Sequence, residues 1–219
     1  MPALPSLPAI PLLVLPVSPQ AIDQSLQILS QGGVIAHATE TCYGFACDLS
    51  NSDAVAKLFA IKGRAADQPV SALFPSVEEA KKYVEWNDRA EALTQKHLPG
   101  PLTLILPRCS DAPSLFTVPA TSYQLPATSS IGIRISSHPL AMELATRFGR
   151  PLSTTSANLH GKPSPYSAQE IERQFASAAV RPDLILDSGE IPSALPSTII
   201  DLTQLGQSET KRQGGLSLS

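Results

Sequence analysis

Two rhythms of apolar residues alternate along this chain. Between Ala21 and Ser30, Ile22, Leu26 and Leu29 recur at the spacing of one helix face, and Gln31-Gly32-Gly33 stops the run. Val34 to His37 is a short apolar run of strand type. Asn51 to Ile61 reads as a helix opened by an Asn/Ser/Asp cap, with Val55, Leu58 and Phe59 on one face. Val70 to Phe74 is strand-like, and Val77 to Tyr83 and Asp88 to His97 are helical. Pro99-Gly100-Pro101 is a stiff turn into the strand Leu102 to Leu106, and Ile131 to Ile135 is a further strand. Pro139 to Phe148 aligns Leu140, Leu144 and Phe148 as a helix, Ala168 to Ala178 is another, and Leu184 to Leu186 and Thr198 to Leu202 are strands. The alternation predicts a mixed α/β fold in one domain.

The stretches without either rhythm carry the remaining information. Pro at 2, 5, 8, 11, 16 and 19 gives residues 1–12 the look of an extended arm leading into a first strand near Leu12 to Leu15. That arm lacks the basic start of a secretory signal, and its prolines break any spanning helix. The domain is expected over residues 13–215, with residues 216–219 as a tail and the polar stretch from Gln204 loosely held. Cys109 to Ser129 is polar, Pro-rich and aperiodic. It is expected to form a long loop, a common source of lids and binding elements. Ser153 to Ser164 has almost no apolar content. It is expected to leave a sheet edge after Pro151-Leu152 as a loop whose hydroxyls and backbone N–H groups suit phosphate and carboxylate oxygens.

Composition narrows the function classes. The 219 residues carry 16 Lys and Arg against 19 Asp and Glu, so the global charge of a nucleic-acid binder is missing. Cys42, Cys47 and Cys109 form no CxxC pair, and the four histidines show no helical metal spacing. A cytoplasmic protein with reduced thiols fits. Neither a Walker motif nor GxGxxG occurs.

Three short stretches have both a structural and a chemical reading. Thr39-Glu40-Thr41-Cys42-Tyr43-Gly44 is a cap and turn, or a pocket floor with the Thr41 hydroxyl towards a small substrate and Tyr43 as a wall. Lys62-Gly63-Arg64 suits a helix C-terminus through the dipole, and equally a polyphosphate clamp. Arg134, between Ile133 and Ile135, is either exposed on an edge strand or a bidentate carboxylate ligand facing a cleft. Cys42 is a conceivable nucleophile without the expected flanks, and His138 before Pro139 suits a helix start.

In their order these stretches resemble the YrdC/TsaC family, the threonylcarbamoyl-adenylate synthases. The resemblance runs through Gly32-Gly33-Val34 with Thr39-Glu40-Thr41-Cys42-Tyr43-Gly44, Lys62-Gly63-Arg64, Pro99-Gly100-Pro101-Leu102-Thr103, Arg134-Ile135-Ser136-Ser137-His138-Pro139, and Ser156-Ala157-Asn158-Leu159-His160-Gly161. Pro196 to Asp201 and Arg212-Gln213-Gly214 extend it to the C-terminal side, so that it covers about residues 14 to 214. His37-Ala38 replaces the family's aromatic-Pro, Ser136 replaces Pro, and Pro196 replaces Glu.

The resemblance implies a YrdC-like twisted mixed β-sheet with flanking helices around a large concave cleft. It implies an enzyme that joins L-threonine, bicarbonate and ATP into threonylcarbamoyl-AMP and pyrophosphate. A threonylcarbamoyl-transferase machinery would then modify adenosine 37 of tRNA. Carried over by position, Thr41, Arg134, Thr154 and Ser197 would hold threonine. Lys62, Arg64, Gln68, Ser130, Ser156, Asn158, Ser164 and Arg212 would surround the nucleotide. Mg2+ would accompany ATP, and Lys62 and Arg64 would act by positioning, with no covalent nucleophile. A weak contact with RNA, double-stranded RNA included, belongs to the same expectation. As alternatives, a dedicated RNA-binding module is disfavoured by the acidic balance and by one Trp, six Phe and four Tyr. A carbamoyl-adenylate enzyme of the hydrogenase-maturation type would bring Cys-rich zinc motifs, which this sequence lacks. A decayed paralogue would keep the fold without the activity.

Overall fold

Local signals set the helix ends in the computed structural model, which describes residues 11–64, 68–119, 129–204 and 206–216. Helix α1 (Pro19–Ser30) starts where the Ser18 hydroxyl accepts from the Ala21 N–H and Pro19 occupies the first turn. Helix α2 (Ser52–Lys62) starts on the Asn51 side chain and ends at Gly63, whose φ of 58° is the left-handed conformation that glycine adopts without strain. Helices α3 (Val77–Lys81), α4 (Asp88–His97) and α6 (Ala168–Phe175) are capped by Ser76, Asn87 and Ser167. Helix α5 (Pro139–Phe148) opens at His138 without a side-chain cap bond, in line with the helix-start reading of that histidine.

The strands are β1 (Val14–Pro16), β2 (Ile35–Ala38), β3 (Tyr43–Ala46), β4 (Ser71–Leu73), β5 (Leu102–Pro107), β6 (Ser130–Arg134), β7 (Leu152–Ser156), β8 (Leu184–Asp187), β9 (Thr198–Asp201) and β10 (Glu209–Arg212). They form one mixed sheet in the order β1-β8-β2-β3-β7-β4-β6-β5-β9-β10. Successive residues of a strand face opposite sides, and the core divides accordingly. Ile35, Ala46, Leu73, Leu184 and Leu186 pack with Ile22 and Leu29 of α1 and Leu140 and Leu144 of α5. Ala36, Phe45, Ala72, Phe74 and Ile185 pack on the other face with Val55 and Leu58 of α2 and Ile171 and Phe175 of α6. The mixed α/β expectation holds, and helices cover both faces of the sheet.

Three strands depart from the sequence reading. Residues 157–164 are the expected irregular segment, but the run from Leu152 to Ser156 does not leave a sheet edge as a loop. It is β7, in the middle of the sheet, with Phe45 opposite Thr155 on one side and Ala72 opposite Ser153 on the other. Ser153 is fully buried because its hydroxyl accepts from the Cys47 N–H at 2.9 Å and donates to the Phe45 carbonyl. A hydroxyl satisfied by a neighbouring strand can be core. Tyr43 begins β3 and is fully buried, its hydroxyl donating to the Gly189 carbonyl at 2.8 Å; it is no pocket wall. The polar stretch after Gln204 includes β10, an exposed edge strand paired with β9.

The 109–129 stretch is irregular but tied down where it is described. Phe116 N–H donates to the Leu49 carbonyl, Val70 N–H donates to the Thr117 carbonyl, and Leu115 is buried. Residues 1–10 of the arm, 120–128 of this loop and 217–219 of the tail lie outside the described residues.

Candidate functional site

The turn between β2 and β3 is wired around one hydroxyl. Thr39 Oγ1 donates to the Cys42 carbonyl at 2.7 Å and accepts from the N–H groups of Thr41 and Cys42. This Thr-centred turn presents Thr41 Oγ1 to Arg134, whose Nη2 donates to it at 3.0 Å. The same Nη2 donates to Glu40 Oε1 at 2.7 Å, and the Ser136 hydroxyl donates to Glu40 Oε2. Ser136 Oγ in turn accepts from the His138 N–H. Arg134 is only 7% exposed, so a carboxylate beside it is what its burial requires. Burial pushes the Glu40 carboxyl up, but the Arg134 charge and the Ser136 hydrogen bond outweigh it and hold the group below its usual range. Next to this cluster His37 is buried, and that burial lowers its pKa to about 4 despite the hydrogen bond to the Ala38 carbonyl.

A second knot forms where α2 ends. Lys62 is 4% exposed, and its Nζ donates to the carbonyls of Ser156 at 2.5 Å and Asn158 at 3.1 Å and to Asn158 Oδ1 at 3.3 Å. The His160 N–H returns a bond to the Lys62 carbonyl. Ser156 Oγ donates to Asn158 Oδ1, and Asn158 Nδ2 donates to the Lys162 carbonyl. Burial first, and the nearby Arg64 second, lower the Lys62 pKa to about 8. Arg64 reaches across the same mouth to the Pro69 carbonyl.

The third wall comes from β5, β9 and β10. Arg212 donates from Nε to the Ser197 carbonyl and from Nη2 to Ser197 Oγ, which also bonds Thr103 Oγ1 at 3.1 Å. Burial and the charge of Arg134 lower the Arg212 pKa. At Gly132 an added Cβ would lie 2.7 Å from Ser71 Oγ, so glycine there lets β4 and β5 close against β6 beside the cavity.

These walls enclose a cavity of about 310 Å³. It is lined by eleven of the twelve site residues expected from sequence: Thr41, Lys62, Arg64, Gln68, Arg134, Thr154, Ser156, Asn158, Ser164, Ser197 and Arg212. Ser130 is not among the lining residues. It opens β6 opposite Pro107, four residues and about 13 Å of strand from Arg134. Thr39, Cys42, Ser71, Thr103, Thr155 and His160 line the cavity as well. Thr39, Cys42, Thr103 and His160 lie within the resemblance motifs and Thr155 lies in the hydroxyl-rich run from Ser153 to Ser164, so that signal was present, whereas Ser71 carried none. Burial raises the Cys42 thiol pKa, which disfavours the nucleophilic thiolate. No group of three His, Cys, Asp or Glu side chains able to hold a metal ion occurs among the described residues.

The arrangement can grip an anion at several points and fix a small polar molecule between two hydroxyl-bearing walls. It supplies no activated nucleophile. The Sua5/YciO/YrdC family model, described as telomere recombination, matches residues 27–214. A threonylcarbamoyl-AMP synthase of Pyrococcus abyssi is 34% identical over 177 residues, covering 80% of this chain and 49% of the relative. A putative threonylcarbamoyl-AMP synthase of Methanocaldococcus jannaschii is 36% identical over 171 residues, covering 78% and 75%. The structure of Pyrococcus abyssi Sua5 complexed with L-threonine superposes with a TM-score of 0.79 at 31% identity, over 94% of this chain and 57% of that one. The chain thus spans about half the length of the Pyrococcus relative.

Proposed function

The chain belongs to the Sua5/YciO/YrdC family, and from that membership we propose that it forms threonylcarbamoyl-AMP and pyrophosphate from L-threonine, bicarbonate and ATP. The observation that carries the proposal is the pairing, in one cavity, of an Arg134–Thr41 end suited to an amino acid and a Lys62–Ser156–Asn158 end suited to a nucleotide.

The chemistry needs only what these walls provide. The threonine amine adds to CO2 derived from bicarbonate and loses a proton, giving a carbamate. A carbamate oxygen attacks the α-phosphorus of ATP, and the bond to pyrophosphate breaks. Arg134 and Thr41 orient the amino acid, Thr154 lies between the two ligands, and Ser197 is held in place by Arg212 and Thr103. Lys62, Arg64, Gln68, Ser156, Asn158, Ser164 and Arg212 surround the nucleotide. Positioning and fixed positive charge are the main sources of rate in phosphoryl chemistry of this kind. ATP enters as its Mg2+ complex, the metal arriving as part of the substrate.

The product would pass to a separate transferase acting on adenosine 37 of tRNA; direct contact with RNA is a secondary expectation of the same reading. A cytoplasmic setting fits the three free thiols, and no described helix is long and apolar enough to cross a membrane. The test is pyrophosphate release by the purified protein with ATP and Mg2+. Release that requires both L-threonine and bicarbonate supports the reading. ATP binding without such release points to a paralogue that has lost activity, and RNA binding without turnover points to a binding module.

A further inference from the structure

Arg134 is offered to the cavity by only part of its guanidinium, and Glu40 decides which part. A carboxylate can take an arginine through the Nε–Nη2 edge or the Nη1–Nη2 edge, and both forks run through Nη2. Nη2 has two protons, and both are spent inside the protein, one on Glu40 Oε1 and one on Thr41 Oγ1. Nε is buried without a partner, and Nη1 has no hydrogen bond among the described residues. An incoming oxygen in the cavity that Arg134 lines therefore meets a guanidinium oriented by a group that is itself fixed. Glu40 cannot swing, because its second oxygen is held by the Ser136 hydroxyl, which the His138 N–H anchors at the start of α5. Two segments far apart in sequence, residues 40–41 and 134–138, converge here.

We infer that Glu40, braced by Ser136, is the positioning residue that fixes Arg134 for recognition of the amino-acid carboxylate. It acts through Arg134, and it also balances that buried charge so that Arg134 and Arg212 can line one cavity. The inference rests on the amino-acid end of the proposed function. It adds to it a residue outside the cavity lining and gives Ser136, one of this chain's departures from the family pattern, a role.

The test compares L-threonine with L-threoninol, in which the carboxylate is replaced by CH2OH, by calorimetric titration of the full chain. The wild-type protein should prefer threonine by at least about tenfold, the value of one charge-assisted hydrogen bond. Glu40→Gln should bring the two affinities within about twofold to threefold of each other, while ATP affinity, the control for a folded cavity, stays put. A merely structural role would weaken both ligands alike. An unchanged ratio in a folded Glu40→Gln protein overturns the inference. Should that variant fail to fold, Ser136→Ala decides: a reduced ratio supports the brace, an unaltered one removes it. A wild-type protein that binds threonine and threoninol equally would instead remove the functional reading, and this inference with it.

Discussion

The two ends of the cavity stabilise their buried cations by opposite means. Arg134 is neutralised by a carboxylate at 2.7 Å. Lys62, buried to a similar degree, meets only neutral oxygens, two carbonyls and one side-chain amide, and forms no ion pair among the described residues. The first end is a closed ion pair whose value lies in geometry. The second keeps a net positive charge that dipoles hold in place. The difference matches what each end would bind: a single carboxylate needs orientation, whereas a polyphosphate needs uncompensated charge in a site of low dielectric.

The comparison breaks most visibly at Arg134. Arg134→Ala leaves Glu40 buried with only Ser136 as partner, and losing one member of such a pair costs about 3–5 kcal/mol. Urea unfolding should register that loss, and threonine-dependent pyrophosphate release should vanish. An apolar double replacement, Glu40→Leu with Arg134→Met, should recover most of the stability and none of the threonine dependence. Recovery of both would mean that the ion pair has no role in recognition.

Acid should strike the same end. His37 has a folded pKa of about 4 against an ordinary value of 6.5, so it is neutral in the fold at pH 7. Between pH 6.5 and 4 the unfolded chain binds the proton and the folded chain does not, and stability falls as pH falls through that window. The linked loss is about 3 kcal/mol at about 1.4 kcal/mol per unit. Glu40, whose folded pKa is also depressed, loses its contribution at still lower pH as its carboxylate takes a proton. Thermal melts at pH 7 and pH 4.5 measure the effect, and His37→Phe should flatten it.

At the other end, Lys62→Met should raise the dissociation constant for ATP by about tenfold, or ~1.4 kcal/mol, by removing the charge and unfastening the Ser156–Asn158 segment. Threonine affinity should not move. Calorimetry with each ligand separates the two, and equal losses would show that the ends are not independent.

What was legible in the sequence divides along the same line. Helices α1, α2 and α5 were readable because their apolar period and their end signals are local: Gln31-Gly32-Gly33 after α1, Asn51 and Gly63 around α2, and Pro139 at the start of α5. Most cavity residues were readable because they sit in short ordered motifs. Strand β7 was misread because Ser153 to Ser156 has strand geometry without strand hydrophobicity; its hydroxyl is satisfied by Cys47 and Phe45, more than a hundred positions away. Ser130 lies off the cavity lining, opposite Pro107 at the start of β6, a placement that a motif alone does not give. Glu40 and Ser136 escaped as functional residues because their partnership is 96 positions long and exists only once β2 and β6 are placed.

The finest discrimination between the two ends comes from alkali. Lys62 has a folded pKa of about 8 against an ordinary 10.5, so it begins to lose its proton within the working range. ATP affinity should therefore weaken severalfold, on the order of 1 kcal/mol, as pH rises from 7 to 9, and threonine affinity should stay level. Stability should move the other way. Between pH 8 and 10.5 the unfolded chain holds more protons at this site than the folded one, so the folded state gains as pH rises. Weaker nucleotide binding by a more stable protein is a combination that general alkaline unfolding cannot produce. Lys62→Met should erase both trends together. If the ATP trend survives in that variant, the titrating charge lies elsewhere and the phosphate end is not built around Lys62.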